Sequence, residues 1–412
     1  MIWSAAWLGP LLYPSVAALA LDYTVNLTRA RQGYDGIHCW VHARAGAIPV
    51  GAAGNPVNPI IVMTMSKMLM QGSDVFYALH DLRSDDLGES WEGPRLHETL
   101  GRHPFPDGGE IVVSDFWPRW HARSARLLGI GHTVRYVDNH VVAAKNPRST
   151  AYSVYDPQAR SWAAWKTLEV PANSTLASSG AGSTGRFDLP NGDILLPVYS
   201  NPVRDGKPLP AAASVLRCRF DGVTLRLVEQ GNELSVPTGR GFGEPSLARF
   251  QGRYFLTLRN DDYLAVSRGQ DGLHYEAPRT VKFDDGRDLG SYNTQSHWVA
   301  HSDALFLVYT RKGASNDHVF RHRAPLFIAE FDPDRMVVRR ATERILVPQR
   351  GARLGNFGVT VVNEHETWVT VTEWMQTWGP NYVMPVNNQW GADNSVYVAR
   401  IRWAKPNRAA RP

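Results

Sequence analysis

No stretch of a dozen residues in this chain carries a helical period; what recurs is a short strand, a tight turn and a second strand. Arg186–Leu189 and Ile194–Tyr199 flank the turn Pro190-Asn191-Gly192-Asp193, where proline presets the bend and Asn-Gly tolerates positive φ. The same form returns in Ser246–Phe250 with Arg253–Arg259, in His297–His301 with Leu305–Arg311, and in Phe357–Val362 with Thr367–Trp374. Earlier copies are His42–Ile48 with Ile60–Met65 and, more weakly, Phe116–His121 with Arg126–Gly131. The copies lie roughly 60–70 residues apart, each with space for a further hairpin, a period that reads as propeller blades. The expectation is an all-β chain: a single β-propeller of four-stranded blades over residues 21–412, six by count, with loops long enough to hide a seventh. The lone strand Leu21–Thr28 is placed to join the last blade beside Ser395–Trp403 and close the ring, which removes exposed sheet edges.

Composition narrows the partners. Apolar residues at 43% and charged residues at 20% supply ample core and exclude wholesale disorder. Lys and Arg number 44 against 39 Asp and Glu, and this net +5 is spread without a block of like charge. That pattern gives no nucleic-acid footprint and suits an anionic oligosaccharide or polysaccharide. The 14 Trp, 15 Tyr and 14 Phe suit both sheets and stacking on sugar rings. Cys39 and Cys218 are too few for a disulfide framework or a Cys-rich zinc site. Met1–Leu21 is uncharged and contains Ala18-Leu19-Ala20, so a secretory leader over residues 1–20 is expected, and with it a secreted or periplasmic monomer. Pro10 and Pro14 interrupt that segment and argue against a membrane span.

Ser84-Asp85-Asp86-Leu87-Gly88-Glu89-Ser90-Trp91 fits the Asp box, S-x-D-x-G-x-[ST]-W, a hairpin in which Ser and Asp side chains satisfy turn amides. The motif is structural: it says blade, not chemistry. Together with Cys39–Gly46, Asp115–Pro118, Gly131–Tyr136, Asn293–Trp298, Asn316–Pro325 and Gly351–Gly358, it resembles the sialidase-like, BNR-repeat propeller superfamily. Within that superfamily the chain looks like the L-rhamnose-α-1,4-D-glucuronate lyases, which the resemblance describes as seven-bladed. It implies a polysaccharide lyase that cleaves a bond to a uronic acid by β-elimination.

In a propeller the start of one strand and the end of its antiparallel neighbour meet on one rim. That rule gathers His38, Arg44, Asp115, His132, Ser183, Tyr199, Glu244, Arg259, Asn293, Gln295, His297, Tyr309, Arg311, Asn356 and Glu373. Elimination from a uronate needs a cation against the carboxylate, a base at the C5 proton and an acid at the leaving oxygen. His132 is the expected base, Tyr309 or His297 the second proton-transfer group, and Arg311 with Arg259 the carboxylate clamp; both arginines would serve equally as bridges between blades. His38, Arg44, Asn293, Gln295 and Glu373 complete the expected substrate contacts, with His318 and Arg321 on a basic loop and Trp374 as sugar platform or core residue. No cofactor is evident; a structural calcium ion in the central channel is compatible with such a ring.

Two other functions fit the same rim. An exo-sialidase would use Arg44, Arg259 and Arg311 on the carboxylate, Tyr382 or Tyr309 with Glu244 or Glu373 as nucleophile pair, and Asp115 as acid. The Arg-Ile-Pro start usual in sialidases is broken, since three residues separate Arg44 from Ile48-Pro49. A non-catalytic glycan-binding propeller would use the same aromatic and basic groups without a proton-transfer pair.

Overall fold

A computed structural model describes residues 21–410 apart from 73, 107, 143–147, 173, 205–206 and 378–387. The expected leader and Tyr382 therefore lie outside the described residues. Among those described, strands and short 3₁₀ turns occur without an α-helix, and no helix is long and apolar enough to cross a membrane. The strands form six sheets of four or more, plus the ribbon Val203–Arg204 with Lys207–Pro208. The seventh blade left open by the sequence is not found among the described residues.

Blade 1 opens with the innermost strand His38–Ile48 and steps outward through Ile60–Leu69, Phe76–Ser84 and Glu92–Leu96. Blade 2 begins with Glu110–His121 and Arg126–Val137, and blade 3 is built on Asp193–Ser200 and Ala212–Phe220. Blades 4 and 5 start at Gly243–Phe250 and His297–Ala300. Blade 6 runs Phe357–Asn363, Glu366–Thr372, Val396–Trp403, and takes its outermost strand, Tyr23–Arg31, from the other end of the chain. The register there sets Tyr23 against Trp403 and Leu27 against Ala399, so the expected ring closure is present and extends three residues further than the sequence suggested.

Each blade packs on two neighbours, so its inner strands are buried on both faces and read as near-continuous apolar runs, while outer strands such as Glu92–Leu96 stay exposed. Asp193–Ser200 is buried at every position. The core is accordingly divided among the gaps between blades. Ile48, Val113 and Trp162 fill one such gap, and Val299, Phe306, Phe357 and Val369 fill another. Each fully buried Leu, Ile or Phe contributes roughly 1.5–3 kcal/mol of transfer free energy, which places most of the stability in these seams.

The Asp box behaves as a staple. Ser84 Oγ accepts from the Gly88 amide at 2.8 Å and Asp86 Oδ1 accepts from the Ser90 amide at 3.0 Å. Gly88 has φ +80°, and a Cβ there would sit 3.0 Å from the Trp368 ring, so the turn docks closely onto blade 6.

Candidate active site

One backbone feature builds the site. At the axial end of five blades, a single non-glycine residue adopts left-handed φ: His42 (60°), Asp115 (52°), Ser183 (60°), Glu244 (44°) and Asn293 (48°). Pairing with the second strand slips at the same places, between Val41 and Arg44, Ser114 and Trp117, and Gly243 and Ser246. A bulge of this kind re-aims a side chain, and strained φ persists only where the surroundings enforce it. The ring repeats one local distortion around its axis, turning a polar group inward each time.

Asp115 is the hub. Its Oδ1 lies 3.3 Å from His42 Nε2 and 3.4 Å from Arg44 Nη2, its Oδ2 lies 3.2 Å from His132 Nε2, and it accepts from the Ser183 hydroxyl. Burial pushes the Asp115 carboxyl up, but His42, His132 and Arg44 overcome it and hold the group well below the usual carboxylate range. Burial, reinforced by Arg148, lowers His132, and burial takes His42 down to about 4. Both imidazoles are neutral at neutral pH. With Nε2–H donated to Asp115, His132 presents Nδ1 as acceptor to the Tyr199 hydroxyl at 3.4 Å. Burial raises the Tyr199 phenol well above its ordinary range, so it keeps its proton. Tyr199, His132 and Asp115 thus form a chain of proton donor, neutral base and orienting anion.

Beside this chain stands a group of guanidiniums. Arg259 pairs with Glu244 at 2.7 Å; burial raises the Glu244 carboxyl, yet Arg259 keeps it below its ordinary value. Arg323, 5% exposed, donates to the Asn293 carbonyl and faces Asn356 Oδ1 at 3.5 Å. Its Nε is without a partner among the described residues, and no carboxylate there pairs with it. Burial, then Arg259, Arg353 and Arg321, push the Arg323 guanidinium well below its ordinary range, the signature of crowded positive charge. Arg353 lies over the Trp374 ring at 4.5 Å. These groups line a cavity of about 390 Å³, in which six arginines face four carboxylates. A buried cation without a counter-ion is costly, and the charge of this cavity is of the sign that an anion would offset.

His132, Arg259, Arg321 and Trp374 therefore reach the mouth as expected, as do Asp115, Tyr199, Glu244 and Asn356 of the wider rim. Other expected residues stand elsewhere. Tyr309 is fully buried and donates to Glu343 Oε2 at 2.7 Å, and Arg311 grips the same carboxylate at 2.7 and 2.9 Å, forming a structural pair on blade 5. His297 is fully buried between the Trp117 and Phe357 rings and bonds Gln295 Oε1 at 2.7 Å. Gln295 and Arg44 lie with it beneath the floor, where Arg44 supports Asp115 and Ser183. Asn293 sits behind the clamp, accepting from Arg259 at 2.6 Å. His38 faces Asp35 at 3.2 Å, and His318 stacks on Trp390 at 4.0 Å. Glu373 is buried as acceptor for the Asp393 and Ser395 amides. Arg148 and Arg353 line the mouth without having been expected there; Arg353 lies within Gly351–Gly358, a stretch read for its likeness and not for a role of the arginine, and nothing in the sequence context of Arg148 marks it. Among the described residues no group of three or more His, Cys, Asp or Glu is arranged to hold a metal ion.

No protein-family model matches the chain, and no curated protein sequence does. Solved structures do. Trypanosoma rangeli sialidase superposes with a TM-score of 0.56 at 12% identity, over 93% of this chain and 60% of that chain. NanB sialidase from Streptococcus pneumoniae gives 0.58 at 10% identity, over 90% and 70%. A protein of unknown function from Dyadobacter fermentans gives 0.57 at 13%, over 92% and 99%. The fold is thus the sialidase-type propeller, and the chain spans 60% of the length of the Trypanosoma rangeli enzyme. At such identities the likeness extends to architecture, and the chemistry must be argued from the site.

Proposed function

We propose that this protein is a carbohydrate-active enzyme that seats the carboxylate of an acidic sugar on its arginine cluster and cleaves the adjoining glycosidic bond. The observation that supports this most strongly is Arg323, buried without a carboxylate among Arg259, Arg321 and Arg353, in the same cavity as the Tyr199–His132–Asp115 chain. Hydrolysis is the reading in keeping with the sialidases that share the fold. In that reaction His132 takes the Tyr199 proton as the phenol oxygen attacks the anomeric carbon; the glycosidic bond breaks and its oxygen leaves with a proton from water. The hydroxide left behind then displaces the phenol oxygen, which recovers its proton from the imidazolium that Asp115 stabilises.

One observation favours elimination instead. Asp115 and Glu244 are both held in the ionised form, so neither is a carboxylic acid ready to protonate a leaving oxygen. Neutral His132 and protonated Tyr199, 3.4 Å apart, are a base and an acid of the kind that uronate elimination requires. His132 would remove the C5 proton, the arginines would balance the enolate charge, and Tyr199 would protonate the departing oxygen.

Incubation with a sialoside and with a rhamnose-capped glucuronate glycan tests both. An ultraviolet-absorbing product, lighter by one water than the hydrolysis product, identifies elimination; a saturated reducing sugar identifies hydrolysis. Absence of turnover and binding with both overturns the proposal. Export through a leader at residues 1–20 belongs to the same reading, and N-terminal sequencing of secreted protein tests it.

A further inference from the structure

The arginine cluster on blades 4 to 6 is not the whole positive charge of the mouth. Arg148, between blades 2 and 3, lies over the Tyr199 ring with its Cζ 4.7 Å from the centroid. It lines the same cavity, and no carboxylate among the described residues pairs with its guanidinium. The position is prepared by a stretch of small side chains, Ser179-Gly180-Ala181-Gly182, that begins in the short strand Ser179–Gly180. A Cβ on Gly180 would lie 2.7 Å from Arg148 Cδ and 2.7 Å from His132 Cβ, and a Cβ on Gly182 would lie 2.3 Å from His132 Nδ1. The two glycines thus leave room for Arg148 and His132 to pack side by side, with Tyr199 against both.

We propose that Arg148 is a specificity residue for a second anionic oxygen group, carried by the sugar on the far side of the scissile bond from the one held by Arg323. This rests on the reading of the mouth as an acidic-sugar site. A substrate engaged at both ends must pass Tyr199 and His132, because Arg148 stands against that pair while Arg323, Arg259 and Arg353 form the separate cluster. The preferred glycan then has acidic groups on two successive sugars. A carboxylate and a sulfate ester share the required chemistry.

The test compares three glucuronyl disaccharides, and the matching sialyl series, whose second sugar is galactose, galacturonic acid or galactose 6-sulfate. Binding by calorimetry and kcat/KM are measured on the full chain, with thermal melting as a check of folding. The second acid is expected to favour the wild type by about 10- to 100-fold, the range of one charge-assisted hydrogen bond. Arg148→Gln should abolish that ratio and Arg148→Lys retain part of it. If Arg148→Gln fails to fold, loss of the wild-type ratio at high salt with retained binding of the galactose compound supports the same conclusion. The galacturonate and sulfate arms identify which anion is taken. Equal affinity for all members of a series, or an undiminished ratio in Arg148→Gln, overturns the inference and leaves the acidic-sugar reading standing. Failure of every member to bind overturns both.

Discussion

His132 Nε2 lies 3.2 Å from Asp115 Oδ2 inside the mouth of a ring whose innermost strands are distorted to bring them together. Asp115 fixes the tautomer of the imidazole and so determines that Nδ1 is the atom offered to Tyr199.

Replacing either member of the proposed proton-transfer pair should silence the proposed reaction without unfolding the ring. His132→Gln and Tyr199→Phe are each expected to lower turnover of an acidic glycoside by about 10²- to 10⁴-fold, the usual weight of positioned acid–base groups. Steady-state rates and melting curves check this. Normal turnover in a folded His132→Gln protein would remove the residue from the mechanism.

Arg323 invites a different expectation. Arg323→Met removes a buried cation without a paired carboxylate, so unfolding in urea should cost about 1–3 kcal/mol more than in the wild type. Affinity for an acidic sugar should fall at the same time by about 10- to 100-fold. A variant that loses stability would show that Arg323 holds the fold rather than a ligand.

The buried imidazoles give a pH dependence with a definite sign. His42 is lowered by burial to about 4 in the fold, against about 6.5 in an unfolded chain. Between these values the unfolded state binds a proton that the folded state refuses, so stability is full above about pH 6.5 and falls as the pH drops toward 4. His132 and His297 are displaced in the same direction. Asp115, shifted downward, loses its contribution only below the ordinary carboxylate range and leaves this window untouched. The loss from His42 is on the order of 3 kcal/mol. Denaturation at pH 7.5 and 5.0 reads about 2 kcal/mol of it, the rest being lost toward pH 4, and His42→Asn should remove that part while leaving the share of His132 and His297.

The Asp box should matter to stability alone. Asp86→Ala removes acceptors of the Ser90 amide and hydroxyl and is expected to cost about 1–2 kcal/mol in chemical denaturation. Turnover at a temperature where the variant is folded should be unchanged.

The ring was legible because turn chemistry and strand period are local signals. The Pro190–Asp193 turn, the Asp box and the return of the first strand to Trp403 all follow from short stretches of sequence. The site was legible only in part. Arg259, at the end of its strand, and His132, midway along Arg126–Val137, reach the mouth, whereas Tyr309 and Arg311, placed there by the same rule, turn to Glu343. Side chains alternate faces along a strand, so a single inserted residue reverses every later assignment. The left-handed bulges at His42, Asp115 and Glu244 are such insertions, and none is marked by glycine. Arg148 and Arg353 come from connecting segments, whose course depends on tertiary packing.

The closing strand has a consequence for biosynthesis. Tyr23–Arg31 is made before every other described strand, yet its only hydrogen-bonding partner strand among them, Val396–Trp403, is the last of them to be made. Through nearly the whole of translation that early segment must wait as a bare template for foreign strands, and the neighbouring sheets wait with it for the final circle. A cell making this protein has reason to shield its nascent N-terminal end until the C-terminal strand emerges.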